Sequence, residues 1–96
     1  MAEYVPTNPD HMVTLEAMKE LLSNCPYQDK VFWDKEVAVS WKLPNNFTVM
    51  GRGAVVDPAN FDYQRGFEVA LEDAARQLQK LEGYVMQKTL NEQGKL

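Results

Sequence analysis

Phe67, Leu71, Ala74, Leu78, Leu81 and Val85 recur at spacings of 4, 3, 4, 3 and 4, and no other feature restricts the fold of this chain as tightly. Such spacing puts all six side chains on one stripe of an α-helix. Upstream, Asp57-Pro58 supplies a capping acceptor followed by a proline at the first helical position, where the missing amide costs nothing. The pattern therefore predicts one helix from about Phe61 to Thr89. At 1.5 Å per residue it would be about 43 Å long, more than the ~30 Å span of a small domain. Either Gly66 or Gly83 breaks it, or the stripe continues onto a second chain; the second chain, and hence a homodimer, is the preferred reading.

Ahead of this helix the period changes to two. Val31, Trp33, Val37, Val39, Trp41 and Leu43 share one parity, while Asp34, Glu36, Ser40 and Lys42 occupy the other, which describes a half-buried strand bent near Asp34-Lys35. Pro44-Asn45-Asn46 has turn chemistry, so Phe47 to Val56 should return antiparallel. Gly51 and Gly53 mark a bulge or a close backbone approach in that return strand. At the other end, Val13-Thr14-Leu15-Glu16-Ala17-Met18 reads as a helix start. Thr14 is the cap and Val13 and Met18 form the staple; the helix should stop before Pro26. The expected fold is α+β: a short helix, an antiparallel β-hairpin and a long C-terminal helix. The expected divisions are a flexible arm at 1–11, a single domain at 12–90 and a polar tail at 91–96.

Composition excludes several functions. Fourteen acidic against ten basic residues, without a charge block, leave a net charge of −4 and argue against a nucleic-acid partner held by phosphate neutralisation. Cys25 is the single cysteine, so no intrachain disulfide or Cys/His zinc spacing is available, which suits a reducing cytoplasm. Met1 to Pro6 lacks the basic and apolar regions of a signal peptide, and no run approaches the ~20 apolar residues of a membrane helix. The mature chain is accordingly expected to be the whole chain, with no membrane association.

The run Phe47-Thr48-Val49-x-Gly51, then Val56-Asp57-Pro58-x-Asn60-Phe61-Asp62, Gly66, Ala70, Ala74 and Leu81-Glu82-Gly83-Tyr84 resembles a family of small tailed-phage proteins of coliphages and prophages whose activity is not established. The resemblance reaches back to about Val13. It implies a phage origin and expression in the host cytoplasm. Two positions depart from the pattern: Asn45-Asn46 stands where Asn-Gly is usual, and Arg52-Gly53 where Glu-Ser is usual.

No catalytic constellation stands out. His11 has only Asp10 beside it, and Cys25 at a helix end reads as a small hydrophobe. Asp57 and Asp62 have capping and helix-dipole tasks. Gly51-Arg52-Gly53 lacks a phosphate-loop pattern and reads as a bulged strand. Trp33, Trp41, Phe47 and Tyr63 could stack on a base, but packing is the simpler use. The reading is a non-enzymatic phage accessory protein that acts by binding and modulates a host process or host defence, without cofactor or metal. One alternative is a module that binds or sequesters a small nucleotide-type ligand, with Trp41, Lys42 and Arg52 as contacts. Another is a small hydrolase or nuclease. The partners expected are a second copy of the chain and a host protein or nucleotide.

Overall fold

The computed structural model describes residues 11–96; of the expected arm, only His11 falls within them. α1 (Leu15–Ser23) starts as the sequence implies: the Thr14 side chain accepts from the amide of Ala17 at 3.1 Å. It ends at Asn24, two residues before Pro26.

Three strands follow where two were expected: β1 (Tyr27–Phe32), β2 (Glu36–Lys42) and β3 (Thr48–Ala54), in the antiparallel order β1-β2-β3. The supposed bend near Asp34-Lys35 is a reversal. Trp33 and Asp34 take φ of 57° and 51°, the pair of left-handed residues that a tight hairpin turn needs, and the amide of Lys35 donates to the carbonyl of Phe32. Without glycine or asparagine at either position, the turn carries little sequence signal beyond Asp34. Nor does β1, since a strand exposed along nearly its whole length has no apolar alternation to show.

The second turn follows the sequence reading. Asn46 takes φ 72°, tolerated by asparagine through its short polar side chain, and the Asn45 side chain accepts from the amide of Phe47.

Asp57 caps a single 3-10 turn, Pro58–Asn60, by accepting from Ala59. The chain then extends through Phe61 and Asp62, and Asp62 is the cap of α2 (Tyr63–Glu92), accepting from Gln64. A second capping aspartate five residues after the first thus moves the helix start past Phe61. α2 is one unbroken helix of 30 residues; neither Gly66 nor Gly83 interrupts it.

Val37, Val39 and Trp41 on β2, and Val49, Gly51 and Gly53 on β3, form the face under α2, with Leu22, Leu43, Ala70, Ala74, Ala75 and Leu78 completing the core. The side of α2 that meets the sheet is Gly66, Ala70, Ala74 and Leu78. This stripe is rotated from the one read off the large apolar residues, so Phe67 and Leu71 flank the contact. Glycine explains the rotation. A Cβ on Gly51 would lie 1.9 Å from the carbonyl oxygen of Ala70, and one on Gly53 2.1 Å from that of Gly66, so helix backbone rests directly on strand backbone. Pairing of β3 with β2 is continuous from Thr48 to Ala54; the glycines make a close approach, and the expected bulge is absent. The Cα frame measures 53 × 38 × 16 Å, a flat slab of two layers.

Candidate functional site

With both helices on one side, no other described residue covers the opposite face of the sheet. Strand alternation and the observed register put Gln28, Lys30 and Phe32 of β1 on it, with Glu36, Ala38, Ser40 and Lys42 of β2 and Thr48, Met50, Arg52 and Ala54 of β3. Short side chains along the middle of β2 and longer ones on either side make a shallow trough. Near one end a depression of about 360 Å³ is lined by Pro26, Tyr27, Gln28, Ser40, Lys42 and Thr48. Three cations, Lys30, Lys42 and Arg52, stand against one carboxylate, Glu36, so this face is basic in an acidic chain. Glu36 is bound by Arg52 at 2.8 Å, while the Lys30 ammonium lies 5.1 Å from the centre of the Phe32 ring, within cation–π range.

The three residues singled out from the sequence as ligand contacts are not brought together. Lys42 and Arg52 share the open face. Trp41 points to the helices and is 1% exposed, its ring 5.7 Å from that of Phe67 and 6.3 Å from that of Tyr27. The backbone amide of Arg52 donates to the carboxylate of Asp73 on α2 at 3.0 Å, a contact with no signal in the sequence. Of the other aromatics, Tyr63 packs with Phe67 and donates its hydroxyl to the carboxylate of Asp29. That hydrogen bond, followed by burial and the Asp29 charge, pushes the Tyr63 phenol up to about 12.

The residue that sequence reasoning misplaced is Trp33. Assigned to a strand face, it sits at the tip of the β1-β2 hairpin, 83% exposed and in the left-handed region. The signal available was weak: a tryptophan beside Asp34-Lys35, where polar residues begin. Cys25 is half-buried and donates its thiol to the carbonyl of Leu21. His11 is exposed. Asp57 and Asp62 are engaged as caps. Among the described residues no group of three or more His, Cys, Asp or Glu side chains is placed to hold a metal ion, and no helix is long and apolar enough to cross a membrane.

The family model of the Phage protein (N4 Gp49/phage Sf6 gene 66) family matches residues 9–90. The chain belongs to this phage protein family. No curated protein and no solved structure matches it. The two departures noted in the sequence fall at informative places for a member of the N4 Gp49/Sf6 gene 66 family. Asn46 occupies the left-handed turn position that a glycine would fill without strain, and Gly53 lies beneath the Gly66 carbonyl, where any side chain would press on α2.

Proposed function

We propose that this phage protein is a non-enzymatic accessory protein that acts in the cytoplasm of the infected cell by binding a host protein, and so modulates a host process or host defence. The observation that carries the reading is Trp33. A bulky residue in the left-handed region costs roughly 1–2 kcal/mol, and this one is held there almost wholly in solvent. Asparagine or glycine would make the same turn at less cost. An exposed tryptophan at a hairpin tip is the kind of side chain that anchors a protein interface, and it adjoins a sheet face that no described residue covers. The test is affinity capture from infected cells with the native chain and with Trp33→Asn. The reading requires a recurrent host protein, retained by the first and lost by the second. No recurrent protein, or equal capture by both, overturns it.

A second reading is favoured by the depression beside Lys42. Gln28, Ser40 and Thr48 offer hydrogen-bonding groups there and Lys42 a cation, a set suited to a small anionic ligand of nucleotide type. Arg52 lies farther along the same face. Thermal shift against mono- and cyclic nucleotides tests it, because a ligand bound only by the native state raises Tm. A small hydrolase or nuclease is the least supported reading, since Asp57 and Asp62 have structural partners.

Self-association is proposed through α2. Its 30 residues extend about 45 Å, against about 23 Å for a strand of seven. Past the buried Leu78 the overhang carries Leu81, Tyr84 and Val85, all exposed. A second copy packing there would cover them.

A further inference from the structure

The two edges of the sheet are finished differently. In β3 two outward groups at the middle of the strand are closed by α2: the Arg52 amide donates to Asp73 at 3.0 Å, and the Gln77 side chain donates to the Met50 carbonyl at 2.9 Å. β1 has no such cover. The Lys42 amide donates to the Pro26 carbonyl and the Lys35 amide to that of Phe32. By the alternation of antiparallel pairing, Gln28, Lys30 and Phe32 therefore bond to β2, and the backbone groups of Tyr27, Asp29 and Val31 point away from the sheet. Among the described residues no hydrogen bond closes them; α2 reaches this strand only through side chains, Tyr63 at Asp29 and Phe67 at Tyr27. Tyr27 and Val31, on the helix side, are half exposed, because α2 packs over β2 and β3.

We infer that β1 is a docking edge, to which an extended segment of a partner protein adds antiparallel as a fourth strand. An open edge is a template for such addition, and the charges of this one select the occupant. A second copy is a poor fit. With the odd-numbered residues pointing outward, the two twofold registers that keep most of β1 paired set Asp29 opposite Asp29 or Lys30 opposite Lys30, and like charges directly opposite destabilise a pair. A foreign strand escapes this constraint. The complementary segment has a carboxylate opposite Lys30, where it extends the row Lys30, Ala38, Arg52 across the open face. It has a cation opposite Asp29, whose carboxylate keeps its charge while accepting from the Tyr63 hydroxyl, and aliphatic residues opposite Val31 and Tyr27 to cover their exposed faces.

The inference rests on the reading that the chain acts by binding protein, but it is tested without any cell extract, so the two fail separately. The probe is the peptide Leu-Val-Glu-Lys-Thr-Val, blocked at both ends and titrated into the isotope-labelled full chain. The control peptide has lysine in place of its glutamate. The expected result is movement of the Tyr27, Asp29 and Val31 amide signals, with their hydrogen exchange slowed by about tenfold or more at saturation, and no change at Met50 or Arg52. The control should bind about fivefold more weakly, and Lys30→Glu, an exposed substitution, should reverse the order of the two peptides. Three results overturn the inference: these amides stay unchanged at millimolar peptide; they are protected in the free chain and lose that protection when the first ten residues are deleted, which makes those residues the occupant; or their protection rises with protein concentration alone, which makes a second copy the occupant.

Discussion

Gly51→Ala adds a single methyl group, and the structure decides where it must go. The new Cβ would lie 1.9 Å from the Ala70 carbonyl oxygen, 2.8 Å from its carbon and 3.0 Å from the Ala74 nitrogen. All three atoms are backbone of α2, so no side chain can turn aside. To reach an ordinary contact of about 3.4 Å the helix must lift by about 1.5 Å, opening its contacts with Val37, Val39 and Val49; overpacking of this kind costs about 1–3 kcal/mol, occasionally more. Removing a strand glycine returns roughly 0.5–1 kcal/mol of backbone entropy, so the net loss should be up to about 2.5 kcal/mol. In a domain of this size that lowers Tm by up to roughly 20 °C. Urea denaturation should show a lower midpoint with an unchanged slope. The control is Gly83→Ala, where a Cβ meets nothing within 4 Å in a helix interior, and the same methyl should stabilise by about 0.8–1 kcal/mol. Equal or greater stability of Gly51→Ala would refute the direct seating of α2 on β3.

The hairpin turn gives a second expectation: Trp33→Asn should raise stability by up to about 1 kcal/mol in thermal or urea denaturation, by relieving a left-handed backbone. Asp62→Ala should cost about 0.5–2 kcal/mol as the cap of α2, and Asp57→Ala should cost less, because Asp57 holds a single 3-10 turn. For self-association, Leu81→Glu should lower the light-scattering mass from roughly twice the 11.0 kDa chain mass while the circular dichroism stays unchanged; Leu78→Glu cannot make this distinction, since Leu78 is in the core. Near-ultraviolet titration should find one tyrosine ionising near 12, absent in Tyr63→Phe and returned towards 10 by Asp29→Asn. Because the folded value is the higher one, this contact contributes stability below pH 10 that is lost as pH rises through 12.

Local signals in the sequence were sufficient for several elements. Thr14 before Leu15, Pro26 after Asn24, Asn46 in a turn and the long stripe of α2 each act through neighbours a few residues away, so spacing and side-chain chemistry determine them. The alternation of Val37, Val39, Trp41 and Leu43 likewise identifies β2 and its buried face. What the tertiary structure alone decided depends on contacts between distant residues. β1 exists because Gln28, Lys30 and Phe32 find partners on β2, and its own exposed side chains carry no pattern. α2 seats Gly66 and Ala70 on the sheet and leaves Phe67 and Leu71 flanking the contact, because Gly51 and Gly53 let two backbones touch. The candidate site was only partly legible for the same reason. Lys42 and Arg52 are on one face and Trp41 on the other because adjacent strand residues point oppositely, whereas the sealing of β3 by Asp73 and Gln77 and the exposure of β1 follow from where α2 comes to rest.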